Sequence, residues 1–405
     1  MQSELILINI SGHDKPGVTS ALTGILGRHG AQVLDIGQAD IHHTLSLGIL
    51  FKTTSESSGE IMKELFFKAT EMGVEIRYTP ISEPDYMDWV SRQGKNRYII
   101  TILGRETTAK QISAVAGIIA EQGLNIDAIK RLTGRIPLTE GETESRKSCI
   151  EFSVRGTPSD KESMQSSLMK LSNELGFDIS MQEDNIYRRC RRLICFDMDS
   201  TLIETECIDQ LAERAGVGDK VRAITESAMR GEIDFKESFT QRVALLKGLD
   251  ASVMKEIAES LPITEGVDRL MTVLKRTGYK IAVLSGGFTY FGNYLKSLYG
   301  IDYVYANELE VEDGKLTGRY VGDIVDGKRK AELLRLLAQV ENVNIAQTIA
   351  VGDGANDLPM LLTAGLGIAF HAKPKVKATA QQSISTIGLD GVLYFLGFKD
   401  SFIEG

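Results

Sequence analysis

Residues 193–201 read Leu-Ile-Cys-Phe-Asp-Met-Asp-Ser-Thr. A short apolar run of this kind makes a buried strand, and it delivers two carboxylates, Asp197 and Asp199, where the strand ends. Burial penalises unpaired charge, so a compensating group is required there. A divalent cation fits that need: carboxylate oxygens suit Mg²⁺, with further carboxylates expected from another strand end. An EF-hand loop is excluded, because its sixth position needs Gly and Leu202 stands there. A helix N-cap at Ser200 or Thr201 accounts for one residue but not for the pair.

Working towards the C-terminus, a long helical stretch follows, then helix (GVDRLMTVLKRTG), strand (YKIAVLSGG), helix (FTYFGNYLKSLYG) and strand (YVYAN). A hairpin at Glu312-Asp313-Gly314, helix (GKRKAELLRLLAQ), strand (TIAVGD), helix (LPMLLTAG) and strand (LGIAF) complete the order. Short apolar strands alternating with amphipathic helices predict an α/β fold, a doubly wound Rossmann-like parallel sheet with helices on both faces. Ligands in such folds bind outside the carboxyl ends of the strands. Three polar motifs fall at those ends: Asp197 to Thr201, Ser285-Gly286-Gly287, and Gly352-Asp353-Gly354-Ala355-Asn356-Asp357. The second offers a hydroxyl and backbone N–H groups to phosphate oxygens at the start of a helix. Lys330 lies just inside a helix, where its segment taken alone reads as a solvated basic face.

Working towards the N-terminus, a strand, helix, strand, strand, helix, strand order occurs twice before residue 187. Displacing the first copy by 93 matches Gly24 with Gly117, Gly30 with Gly123 and Ile36 with Ile129. Each copy is a ferredoxin-like βαββαβ module. The predicted boundaries are 1–82 and 97–184 for the modules, 83–96 for a linker holding the single Trp, and 187–405 for the α/β domain. A helical cap is inserted in that domain at about 207–261.

The 405 residues carry 46 Lys+Arg against 55 Asp+Glu, a net charge of −9. That balance offers no global field to nucleic acid or anionic lipid, so a phosphate-bearing ligand must be held by a local positive cluster. Cys149, Cys190, Cys195 and Cys207 form no CxxC pair, which argues against a disulfide framework or a structural zinc site. The five histidines show no metal-ligand spacing. Neither a signal peptide nor a membrane span is legible, and a cytoplasmic protein is expected.

The conjunction of DMDST, SGG, a helix-borne lysine and GDGAND, in that order, resembles the haloacid dehalogenase superfamily of phosphohydrolases. FDMDSTLIETECID, AMRGEIDFKESFTQRVALLKG, LSGGF, ANELEVEDGKLTG and VGDGANDLPM resemble its phosphoserine-hydrolysing members over about residues 190 to 397. The resemblance implies Asp197 as the nucleophile that forms an aspartyl-phosphate, and Asp199 as general acid and then base. It further implies Mg²⁺ held by Asp197, the Asp199 carbonyl and Asp353, with Asp357 in support. Ser285, the Gly286 amide and Lys330 would hold phosphate oxygens, and Asn356 would touch phosphate or substrate. Glu206 would take the substrate ammonium and Arg242 its carboxylate, under an apolar cover of Met229 and Phe235.

Residues 1 to about 182 resemble tandem ACT domains, small modules that often sense amino acids. The DKPGV turn carries the likeness, with Asp14, Pro16 and Gly17 as the expected effector loop; the second copy has RETTAK there, with neither Pro nor Gly. The implied partners are phosphoserine as substrate, serine as effector and a second copy of the chain in a homodimer. Two alternatives stay open at this point: phosphotransfer to an alcohol such as homoserine, and a chain that acts chiefly as an amino-acid sensor.

Overall fold

The apolar run 193–196 forms the middle strand of a seven-stranded sheet. A computed structural model describes residues 3–91, 96–135, 146–380 and 382–403, in two compact units, Met1–Lys95 and Asn96–Gly405.

The first unit runs β1 (Ser3–His13), α1 (Val18–Arg28), β2 (Gln32–Ile41), β3 (Thr44–Thr54), α2 (Ser55–Met72), β4 (Val74–Ile81) and α3 (Glu83–Ser91). Its antiparallel sheet has the order β2-β3-β1-β4. Ile6, Ile8 and Ile10 of β1 pack with Val18, Leu22, Ile61 and Leu65 of the two helices, as the strand period of two and the helix period of 3.6 require. Gly17 caps α1 at φ 97°, and a Cβ there would meet nothing in the chain. Glycine is therefore demanded by the backbone angle rather than by crowding. The Asp14 N–H donates to the His43 carbonyl at 2.7 Å. The predicted linker is helical over Glu83–Ser91: Ser82 Oγ accepts from the Asp85 amide at 3.1 Å, and the Tyr86 and Trp89 rings meet at 6.0 Å. That local capping competes successfully with the turn-like composition. Residues 92–95 of the linker lie outside the described residues.

The second unit opens with the repeat of that order: β5 (Arg97–Gly104), α4 (Ala109–Glu121), β6 (Asn125–Arg131), β7 (Ser148–Arg155), α5 (Lys161–Leu175) and β8 (Asp178–Glu183). The sheet order β6-β7-β5-β8 is again ferredoxin-like. The displacement of 93 holds for the helices, where Val18, Leu22 and Leu26 correspond to Gln111, Val115 and Ile119. The inward residues of the first strand, Ile6, Ile8 and Ile10, correspond instead to Tyr98, Ile100 and Ile102, a displacement of 92. An odd shift within a strand would turn the core face outward, so the odd residue is absorbed between strand and helix.

After α6 (Ile186–Arg189) comes β9 (Leu193–Phe196), then a helical insertion of α7 (Cys207–Arg214), α8 (Gly218–Met229), α9 (Phe235–Ala244) and α10 (Val253–Glu259). There follow α11 (Val267–Arg276), β10 (Lys280–Phe288), α12 (Thr289–Tyr299), β11 (Tyr303–Glu312), β12 (Lys315–Val321), α13 (Gly327–Val340) and β13 (Thr348–Gly352). The chain ends in α14 (Leu358–Thr363), β14 (Leu366–Phe370), α15 (Pro374–Thr379), β15 (Gln382–Ile384), α16 (Gly391–Phe395) and α17 (Asp400–Ile403). The sheet order is β12-β11-β10-β9-β13-β14-β15, with β12 the antiparallel edge. Since β9 lies between β10 and β13, the strand order reverses beside it, and the carboxyl end of β9 is the expected ligand crevice.

Module and α/β domain share one apolar core in this unit: Leu103, Leu132 and Cys149 cluster with Ile387, Leu393 and Phe395. Asp178, at the start of β8, accepts from the Ser385 amide at 2.8 Å, the Thr386 amide at 2.9 Å and the Thr386 hydroxyl at 2.6 Å. Burial nonetheless pushes its carboxyl up from the ordinary range. Among the described residues no helix is long and apolar enough to cross a membrane, and the four cysteines are free thiols.

Candidate active site

Asp197 follows β9 and Asp353 follows β13, and these strands are parallel neighbours in register. The register pairs Phe196 with Val351, so Gly352 stands opposite Asp197 and Asp353 lies one residue further along. The 3-10 turn after β13 adds Asp357, and one oxygen from each of Asp197, Asp353 and Asp357 lies within 4.8 Å of the others. Between them stands Lys330 from α13, fully buried, with Nζ 2.9 Å from Asp197 Oδ1 and 2.6 Å from Asp357 Oδ1. Its segment reads as a solvated basic face; the structure turns this lysine inward, where the paired carboxylates offset the cost of burying an ammonium.

Three further oxygens are anchored. Asp357 Oδ2 accepts from the Gly354 amide at 2.9 Å, and Thr201 Oγ1 donates to Asp353 Oδ1 at 3.2 Å. Asp199 Oδ1 accepts from the Cys207 amide at 3.0 Å. Asp199 Oδ2 stands 2.3 Å from where a Cβ on Gly287 would be, so only glycine lets the carboxylate approach that backbone.

Three carboxylates stand about one ammonium, which pairs with two of them, so the cluster keeps two uncompensated negative charges. The cost appears in the proton affinities. Burial, reinforced by Asp357 and opposed by Lys330, pushes the Asp197 carboxyl well up. Burial and then Asp357 push Asp353 up to about 7. Burial and then Glu206 do the same to Asp199, also to about 7. For Lys330, burial alone would lower the ammonium's pKa, but Asp197 and Asp357 outweigh it and hold it above the usual range. Converging hard oxygens with surplus negative charge are the donor set a hard divalent cation takes, unlike the thiolate and imidazole sets of zinc or copper.

Ser285, Gly286 and Gly287 occupy an irregular end of β10, where pairing with β11 breaks between Leu284 and Phe288. As expected, these residues close the strand, and α12 begins at Thr289, one residue later than predicted; the irregular, bulged pairing was not predicted. Ser285 is buried, and its Oγ accepts from the Gly287 amide at 2.9 Å. The Phe235 ring stands 3.0 Å from the place of a Cβ on Gly286, so α9 of the cap covers this loop.

Glu206 is the N-cap residue of α7 and accepts from Ser200 Oγ at 2.8 Å. Half-buried Arg242 donates to the Ser238 carbonyl at 3.3 Å. Burial draws its pKa down, while the fields of Glu206, Asp209 and Asp199 raise it. Met229 is 64% exposed, with its Sδ 3.7 Å from Lys373 Nζ. The Asn356 side chain folds back over Gly354, and its carbonyl crowds Gly327 at the start of α13. Sequence reasoning missed Thr201 as the support of Asp353, the Gly287 contact, and buried Asn307 beside the bulge. The one signal for Asn307 was a polar residue closing the apolar run YVYAN.

Fold and site define a haloacid dehalogenase-like hydrolase, and residues 194–362 match that family. Residues 4–79 and 97–182 match ACT domains. A phosphoserine phosphatase of Streptomyces coelicolor is 38% identical over 403 residues, which cover 98% of this chain and 93% of the relative. One from Archaeoglobus fulgidus is 42% identical over 342 residues, 84% of this chain and 94% of the relative. The crystal structure of a probable phosphoserine phosphatase from Vibrio cholerae, unliganded, superposes with a TM-score of 0.59 at 36% identity, covering 74% of this chain and 86% of that one. A haloacid dehalogenase family hydrolase from Salmonella enterica gives 0.62 at 30% identity, covering 74% and 98%. The chain belongs to the phosphoserine phosphatase family.

Proposed function

We propose that this chain hydrolyses O-phospho-L-serine to L-serine and phosphate, with Mg²⁺ and through a phosphoryl group carried on Asp197. The observation that carries the reading is the cluster of Asp197, Asp353 and Asp357 at the carboxyl ends of β9 and β13, with buried Lys330 paired to Asp197 and Asp357. The named activity of relatives matched over nearly their whole length supports the substrate. Asp197, Asp353 and the Asp199 carbonyl, with Asp357 in support, would hold Mg²⁺, which would supply positive charge to the transferring phosphoryl group.

Asp197 attacks phosphorus in line as the bond to the serine oxygen breaks, and Asp199 gives that oxygen its proton. Asp199 then takes a proton from water, which attacks phosphorus and frees Asp197. A carboxyl poised near neutrality by burial suits both roles. Ser285, the Gly286 amide and Lys330 hold the phosphoryl oxygens, and Asn356 faces phosphate or substrate. Glu206 pairs with the substrate ammonium and Arg242 forks onto its carboxylate, while Phe235 and Met229 form the cover. Serine binds the Asp14, Pro16 and Gly17 loop of the first module and slows turnover, and the chain works as a cytoplasmic homodimer, a compartment that suits its free thiols.

Phosphate release from phosphoserine is expected with Mg²⁺, lost on chelation and lost in Asp197→Asn. Full turnover by that variant would sink the nucleophile assignment. Gel filtration tests the dimer, and a rate and melting curve indifferent to millimolar serine would remove the effector.

A further inference from the structure

Asn307, in the middle of β11 where that strand last pairs with β10, is 2% exposed and hydrogen bonded at both ends of its amide. Nδ2 donates to the Gly286 carbonyl at 2.8 Å and to the Gly287 carbonyl at 3.3 Å, and Oδ1 accepts from the Val325 amide at 2.8 Å. These bonds sit where the β10–β11 ladder lapses, so one side chain satisfies backbone carbonyls that the bulge would otherwise leave unpaired.

Because the peptide unit is planar and trans, fixing the Gly286 carbonyl fixes the Gly287 N–H in the opposite direction. That N–H donates to Ser285 Oγ. The hydroxyl thereby spends a lone pair inside the loop and keeps its proton for an oxygen outside it. At the other end of the amide, Val325 directly precedes Asp326, the N-cap of α13, whose side chain accepts from the Arg329 amide at 2.9 Å. Lys330 follows within the first turn of that helix. One buried amide thus ties the Ser285 loop to the element that carries Lys330.

We infer that Asn307 is a positioning residue for phosphoryl transfer, holding the Ser285–Gly287 bulge and the start of α13 in register with each other. This rests on the phosphatase reading above. Its hydrogen bonds go to Gly286, Gly287 and Val325, none of them an expected metal ligand, so it acts through Ser285 and Lys330. Glu206 and Arg242 lie on the cap side, so recognition of the amino-acid end does not pass through it.

The test is steady-state kinetics on full-length wild type, Asn307→Asp and Asn307→Ala. Asn307→Asp is nearly isosteric and keeps an acceptor for Val325, but replaces the donor to Gly286 with a repelling oxygen. The expected result is kcat down by about tenfold to a hundredfold with KM for phosphoserine little changed. Inhibition by orthovanadate should weaken along with kcat, while inhibition by the product L-serine should not. If Asn307→Asp melts below the assay temperature, Asn307→Ala, which buries no charge, reads the same split. Wild-type kcat and vanadate inhibition in a folded variant overturn the inference, as does parallel weakening of vanadate and serine. Failure of wild type to release phosphate from phosphoserine would instead remove the reading on which the inference stands.

Discussion

Lys330 has no exposed surface and two carboxylates within 3 Å of its ammonium. Removing one partner of a buried ion pair leaves uncompensated charge, so Lys330→Met should cost about 3–5 kcal/mol of stability. Turnover should fall with it, because the proposed role of the same ammonium is to hold phosphoryl oxygens. Thermal unfolding and phosphate release measure the two losses, and a variant as stable as wild type would contradict the pairing. Asp197 and Asp353 were legible as strand-end carboxylates because each follows a short apolar run, and it was the order of the motifs, not either one alone, that pointed to a site. The burial of Lys330 was not legible, since a lysine in GKRKAELL is solvated unless a distant segment supplies its partner. Thr201 and Asn307 were hidden for the same reason: their hydrogen-bond partners, Asp353 and Gly286, lie far away in sequence or on another strand.

At the scale of elements, periodicity recovered the strands and helices of both modules and the central strands of the α/β sheet. It failed where local chemistry outweighs pattern, as in the capped helix Glu83–Ser91, and it placed SGG at the end of a strand without showing the irregular pairing there. The three-residue strand β15 is too short to show a period. One short anchor gives a pH prediction. Asp302, just before β11, accepts from the Ile281 amide at 3.0 Å and from Lys280 and Lys275 at 3.3 and 3.4 Å. Burial pushes its carboxyl up, but the Ile281 amide and the two ammoniums outweigh that and hold it below the ordinary range. A depressed carboxyl stabilises the fold above its unfolded pKa of about 3.9, and that contribution fades as pH falls through the folded value. Asp302→Asn should therefore cost about 1 kcal/mol at pH 7, with the difference from wild type shrinking below about pH 4. Denaturant titrations at pH 7 and pH 3 test it; an equal difference at both would show that the charge is not what Asp302 contributes.

At the scale of the whole molecule, the two modules have the same topology but different standing. The first forms a unit of its own, whereas the second shares a core with the α/β domain and is pinned to it by Asp178 and by Gln382, which bonds the Met181 backbone at 3.1 and 3.0 Å. A chain of residues 96–405 should fold and keep wild-type turnover on phosphoserine while losing its response to serine. A chain of residues 187–405 bares Ile387, Leu393 and Phe395 and should melt about 10 °C lower or aggregate. Equal melting temperatures for the two truncations would show that the shared core contributes nothing.

That burial also sets how each copy of the duplicated module tolerates mutation. In β1 only every second residue faces a core, and Asn9 between Ile8 and Ile10 is open to solvent; in β5 every residue from Tyr98 to Gly104 is buried. After duplication, the free copy keeps a face on which substitutions are nearly silent, so it can drift towards new ligands. The enclosed copy has spent that face on its neighbour, and each change there is filtered by packing before any new binding property can be selected.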